Sequence, residues 1–132
     1  MVRKRSKTAE LPPPRTLAEH IKRMRLFRNL YQRDVAKQMG VDKATVANWE
    51  KGKTAPPITF IPAVIAFLGY DPFDVPQALP EQMLAYRRRL GLSAKSASEQ
   101  LGVDPGSWLA WEHGTTAPWP RFLRQIEGLL AK

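Results

Sequence analysis

Displaced by 62 positions, this sequence lies over itself without a gap. Leu30 falls on Leu92, Gly40-Val41-Asp42 on Gly102-Val103-Asp104, and Trp49-Glu50 on Trp111-Glu112. Gly52 falls on Gly114, Thr54-Ala55-Pro56 on Thr116-Ala117-Pro118, Phe60 on Phe122 and Leu68 on Leu130. A period of this size means one supersecondary unit used twice, and it sets the organisation before any element is assigned. The 132 residues then divide into a basic disordered arm at 1–15, a first domain at 16–70, a linker at 71–79 and a second domain at 80–132. Each domain is small, but a hydrophobic content of 43% is enough for packed cores.

Within the repeat the informative stretch is Gln32–Gly52, QRDVAKQMGVDKATVANWEKG. Val35, Ala36 and Met39 form one apolar helical set, and Val46 and Trp49 form the next. Gly40 stands between them, where the chain must reverse and a residue tolerating positive φ is wanted. Asp42 follows at an N-cap position, its carboxylate expected to accept from the backbone of the next turn. Ala36 is small where the two helices must cross. The stretch closes on Trp49-Glu50-Lys51-Gly52-Lys53-Thr54-Ala55-Pro56. Together these residues resemble the helix-turn-helix of the lambda-repressor/Cro-like (XRE) family with its W-E-x-G-x-x-x-P ending. The resemblance implies an all-α fold: two tandem helix-turn-helix bundles of about four to five short helices each.

The flanking elements follow from local chemistry. Thr16-Leu17-Ala18-Glu19 reads as a capping box opening a helix that buries Leu17, Ile21 and Met24 and ends near Asn29. Helices over about Gln32–Met39 and Lys43–Glu50 come next, and Pro56-Pro57 interrupts. Phe60–Leu68 reads as a fourth helix that Thr59 would cap, with Pro62 in the first turn where no N–H is needed. The longest apolar run, Ala63–Leu68, is too short to span a bilayer, and the charged N-terminus lacks the apolar stretch of a signal peptide. Zero cysteines exclude disulfides and thiolate metal sites and fit an intracellular setting.

Charge placement points to the partner. The chain carries +9, of which residues 1–16 hold +4, residues 17–70 hold +5 and residues 71–132 hold none. A field concentrated in the first half attracts polyanions, nucleic acid first among them. The resemblance carries base reading onto Lys43, Ala44 and Asn48. Lys43 can donate to guanine O6/N7, Asn48 can pair with adenine and Ala44 can meet a thymine methyl. It places Gln32, Thr45, Lys51 and Lys53 at the DNA backbone. Arg3, Lys4 and Arg5 read either as an arm touching phosphates or the minor groove, or as a solvated tail. Tyr31 departs from the hydroxyl N-cap usual in the family.

The second copy has Pro105, Gly106, Ser107 and Ala110 at the reading positions, and His113 and Thr115 in place of Lys51 and Lys53. Its scaffold reads as kept and its reading surface as lost. Trp108 replaces Val46, which implies different packing. Arg87-Arg88-Arg89, Lys95, Arg121 and Arg124 either solvate a face or give weak backbone contact. Glu50 and Glu112 each follow an arginine by 25 residues, and the pairs Arg25–Glu50 and Arg87–Glu112 read as structural ion pairs, not general acids. His20 and His113 read as surface residues. Leu26, Phe27, Trp108 and Trp119 read either as scattered hydrophobes or as a contact surface.

The expectation is a sequence-specific double-stranded DNA-binding transcriptional regulator, bacterial or phage, cytoplasmic and nucleoid-associated. Its first repeat reads the major groove, and its second supports, orients or dimerises it. The alternative is a protein-interaction module, such as a DNA-binding antitoxin or transcription adaptor, which the neutral, tryptophan-bearing second repeat favours. Expected partners are duplex DNA, a second copy in a homodimer and a protein held by the second repeat, with no membrane. Enzyme activity, a cofactor and a metal site are not expected, since the chain has no cysteine nucleophile, glycine-rich phosphate loop or metal-ligand spacing.

Overall fold

The computed structural model describes residues 13–132, which form α-helices and no strands. Arg3, Lys4 and Arg5, with the rest of the arm up to Pro12, lie outside the described residues. The chain divides into two compact units between Pro72 and Phe73. The first holds α1 (Leu17–Phe27), α2 (Gln32–Met39), α3 (Lys43–Lys51) and α4 (Ile61–Leu68), the last preceded by a 3-10 turn at Ile58–Phe60.

Local chemistry sets these limits. The Thr16 hydroxyl accepts the Glu19 N–H at 3.1 Å and starts α1. Only half of the expected capping box forms, because the Glu19 carboxylate takes the Arg15 N–H at 2.6 Å rather than that of Thr16. Beyond α1, Asn29 sits at φ 57, the left-handed conformation anticipated for it. Gly40 stops α2 at φ 72, and the Val41 N–H then reaches the Ala36 carbonyl at 3.0 Å. Asp42 opens α3 through its carbonyl alone, which accepts the Thr45 N–H at 3.0 Å; its carboxylate makes no cap bond, contrary to expectation. The fourth helix starts one residue late and Thr59 does not cap it. The Pro57 carbonyl instead accepts the Phe60 N–H at 2.8 Å, which closes the 3-10 turn and leaves Pro62 in the first helical turn.

The core of this unit comprises Ile21, Val35, Ala36, Met39, Val46, Trp49, Val64, Phe67 and Leu68, with Leu17 and Met24 half-buried at its margin. Arg28 donates to the Phe67 carbonyl in the last turn of α4, its guanidinium 5.1 Å from the Phe67 ring. A cation there complements the free carbonyls of the helix end. Phe27, by contrast, faces solvent at 66% exposure.

His20 is more engaged than a plain surface residue. Its Nδ1 lies 2.7 Å from the Tyr70 hydroxyl, which ties α1 to the chain leaving α4. Burial lowers its pKa below the ordinary 6.5, with the Glu19 charge opposing in part. The folded state therefore disfavours protonation. The His20 contribution to stability is complete above the unfolded value and is lost as pH falls through the lower folded one. Amide protection factors in α1 are expected to fall as pH drops below the ordinary value of 6.5, and His20→Gln is expected to remove that dependence.

The second unit holds α5 (Leu79–Leu90), α6 (Ala94–Leu101), α7 (Pro105–Glu112) and α8 (Pro120–Leu130). Its local bonds fall 62 residues after those of the first. Gln77 N–H donates to Glu81 at 3.0 Å as Arg15 does to Glu19, and Val103 N–H reaches the Ser98 carbonyl at 3.1 Å. Met83, Tyr86, Ala97, Leu101, Trp108, Trp111 and Ile126 form the core. Ser98 is fully buried at the position of Ala36, and its hydroxyl donates back to the Lys95 carbonyl at 2.8 Å, which leaves no polar atom unpaired. Trp108 is fully buried, so it marks no contact surface. Its indole fills the core where Val46 stands in the first unit, and its N–H finds a partner in Glu112 at 2.8 Å.

Gly106 has a local reason in the first turn of α7. A Cβ there would stand 2.9 Å from the Asp104 Oδ2, which accepts the Ser107 N–H. An Ala for Gly change in a helix ordinarily gains about 1 kcal/mol. Gly128, with nothing within 4 Å of its Cβ position, is expected to yield most of that gain when changed to Ala. Gly106→Ala displaces the capping carboxylate and is expected to yield none. Urea unfolding of the two variants checks the contrast.

Candidate nucleic-acid interface

The orientation of α3 is set by one buried charge pair. Arg25 grips Glu50 with two parallel bonds, Nε to Oε2 at 2.6 Å and Nη2 to Oε1 at 2.9 Å, while its Nη1 donates to the Leu30 carbonyl at 3.0 Å. The Glu50 side chain is only 3% exposed. Gln32 adds a bond from Nε2 to Glu50 Oε1 at 3.2 Å. Three segments, the end of α1, the start of α2 and the end of α3, thus meet at one carboxylate. The sequence reading aimed the Gln32 side chain at a phosphate. In the structure its amide nitrogen braces the ion pair, because the fold brings Glu50 within reach.

With Val46 and Trp49 in the core, helical geometry at about 100° per residue turns Lys43, Ala44, Ala47, Asn48 and Lys51 to the opposite side. Lys43, Ala44 and Lys51 are exposed, while Thr45, Ala47 and Asn48 are half-buried. Lys53 is exposed just beyond Gly52, which turns the chain out of the helix at φ 75. A shallow depression of about 250 Å³ opens between the starts of α2 and α3, lined by Arg25, Tyr31, Gln32, Arg33 and Lys43 with no acid among them. Arg33 lies over the Tyr31 ring, 4.6 Å from its centroid. At the start of α2 the Asp34 carboxylate takes the Tyr31 N–H at 2.7 Å, and the Tyr31 carbonyl accepts the Asp34 N–H at 3.0 Å.

Side chains of both charge signs could sit on such a face. The observed one offers cations and an amide beside two methyl groups, the chemistry of phosphates and base edges. Residues 21–75 match the helix-turn-helix family model. Over that segment the chain is similar to a lambda-repressor-like (XRE) helix-turn-helix, a DNA-binding type of domain. No curated protein and no solved structure matches the chain. The helix-turn-helix match takes in α2, α3 and α4 whole and α1 from Ile21. Sequence reasoning missed Ala47, which carries no chemistry of its own and shows only by its place on the helix. It also missed Arg33, whose signal was its place two residues past Tyr31.

The second unit repeats the charge pair without the face. Arg87 Nε bonds Glu112 Oε2 at 2.7 Å and Nη2 bonds Oε1 at 2.6 Å, with Nη1 on the Leu92 carbonyl at 3.2 Å. Burial pushes the Glu112 carboxyl up, but the bonds from Arg87 and Trp108 and the Arg87 charge outweigh it and hold the group below its ordinary range. Arg88 lies over the Phe73 ring at 3.9 Å and Arg89 near Tyr86 at 5.8 Å, so the arginine triplet is dispersed among separate contacts and forms no single basic patch. At the start of α7, Asp104 accepts the Ser107 N–H at 3.1 Å and the Ser107 hydroxyl at 2.7 Å, bonds that lower its pKa. The first unit has Asp42 at the same position, where the carboxylate makes no such cap bond. Among the described residues no group of His, Cys, Asp and Glu could hold a metal ion, and no helix is long and apolar enough to cross a membrane.

Proposed function

We propose that the chain is a sequence-specific double-stranded DNA-binding transcriptional regulator whose first unit lays α3 in the major groove. Lys43, Ala44 and Asn48 meet base edges there, with Ala47 packed beside them. Thr45, Lys51, Lys53, Arg33 and the start of α2 at Gln32 meet the backbone. The observation that carries this reading is the outward side of α3. It presents two cations and an amide beside an acid-free depression, in the half of the chain that holds the positive charge. The second unit is a degenerate copy that keeps the scaffold and orients or pairs the first. The shared 62-residue offset of helices and charge pair supports this. Lys51→Ala and Lys53→Ala are each expected to flatten the log–log salt dependence of duplex binding by about 0.9 while leaving base preference intact. Unchanged slopes in both would place the backbone contacts elsewhere.

A protein-interaction role, as antitoxin or transcription adaptor, is favoured by one feature: Trp119 is 54% exposed in the half of the chain, residues 71–132, that carries no net charge. A stable protein partner that co-purifies with the chain and is lost in Trp119→Ala would establish it.

A further inference from the structure

The start of α8 holds a ring that neither the core nor the duplex reading uses. Trp119 is 54% exposed, whereas Trp49, Trp108 and Trp111 are buried. Its place is fixed from both sides. Pro118 precedes it, and Pro120 after it keeps its backbone out of the helical region, at φ −61 and ψ 145. The indole stands edge-on to buried Trp111, centroids 6.0 Å apart, and tilted against half-buried Phe122 at 5.8 Å. Arg121 lies over both rings, 5.5 Å from the centroid of Trp119 and 4.8 Å from that of Phe122.

The charge around this ring is one-sided. With Phe122 and Ile126 packed in the core, helical geometry at about 100° per residue turns Arg121, Arg124 and Gln125 outward, all exposed. Residues 113–132 hold Arg121, Arg124 and Lys132 against Glu127 alone, while residues 73–112 hold four bases against five acids. The positive excess of the second unit therefore lies at the α8 end, beside the exposed indole.

We propose that this surface binds single-stranded nucleic acid, one base stacking on the Trp119 indole and the adjoining phosphates held by Arg121 and Arg124. The site goes beyond the duplex reading and does not rest on it. Two properties select the ligand. An exposed indole on a rigid support offers a stacking surface that every base can use. A duplex keeps its base faces stacked on their neighbours, so only an unpaired strand brings a base face and phosphates to one place. The rings beneath Arg121 hold its guanidinium by cation–π attraction and leave its N–H donors for a phosphate oxygen. Polyglutamate meets the same arginines but cannot stack, so it separates an acid-binding surface from one that takes a strand.

Fluorescence titration of the full chain with a single-stranded oligothymidylate tests this, because Trp119 is the exposed tryptophan and stacking quenches it. The native chain is expected to show saturable quenching that polyglutamate does not produce. With a labelled strand followed by anisotropy, Trp119→Ala is expected to weaken binding about 5- to 150-fold, and Trp119→Phe to restore most of it. Arg121→Gln and Arg124→Gln are each expected to flatten the log–log salt dependence by about 0.7. Circular dichroism checks folding, and Arg124→Gln, an exposed change, keeps the test open should Trp119→Ala unfold. Absence of quenching in the native chain overturns the proposal. So does equal quenching by polyglutamate, or strand binding indifferent to Trp119→Ala and Arg124→Gln alike. Asn48→Ala is expected to leave strand binding unchanged, so this test and that of the duplex reading fail independently.

Discussion

Arg87→Ala is expected to cost the second unit about 3–5 kcal/mol, the range for removing one partner of a buried pair. The loss comes less from the vanished attraction than from what stays behind. Glu112 keeps a side chain 3% exposed, and of the three bonds to its carboxylate only that from the Trp108 indole remains. Arg87→Lys is expected to rescue little, because one ammonium cannot supply two parallel bonds and a third to the Leu92 carbonyl. The pH dependence gives a second check. In the native unit the Glu112 contribution is complete above the ordinary carboxyl value of 4.5 and is lost as pH falls through its lowered folded value. In the variant the Arg87 bonds and charge are gone, so burial, which raises the group, is opposed mainly by the Trp108 bond, and the stabilities of native and variant should converge in acid. Arg25→Ala is expected to cost the first unit about 3 kcal/mol by the same mechanism, Gln32 continuing to donate to Glu50. Amide exchange resolved by helix measures both, since each substitution should loosen its own unit.

The second large effect falls on recognition. A paired contact from a side chain to a base edge discriminates by about 1–3 kcal/mol, so Lys43→Ala and Asn48→Ala are each expected to weaken the preferred duplex by about 5- to 150-fold. The two should differ in kind. Lys43→Ala also removes a positive charge at the rim of the depression, so binding to unrelated duplex weakens and the salt dependence flattens. Asn48 is neutral, and its loss should leave non-specific affinity and salt slope unchanged. Titration of one preferred and one unrelated duplex at two salt concentrations separates these outcomes.

How much of this was legible beforehand depended on how local the cause was. The bounds of α2 and the start of α3 could be read because Gly40, Asp42 and the apolar spacing act within a few residues. The Arg25–Glu50 pair could be read from the family pattern although the partners are 25 residues apart. Three features depended on the folded chain. Gln32 meets Glu50 only once α2 and α3 are crossed, and Glu19 prefers the Arg15 N–H only once the chain before α1 has its direction. Trp108 in place of valine implied a different packing, but the buried partner of its N–H, Glu112, shows only in the folded chain.

The central claim is that the outward side of α3 reads bases and that Asn48 reads one of them. Selection of binding sites from random duplex DNA, run in parallel on the native chain and on Asn48→Ala, tests it most directly. The native chain is expected to enrich a common motif, and the variant the same motif with one base position relaxed. No enrichment by the native chain, or an identical motif from the variant, would contradict it.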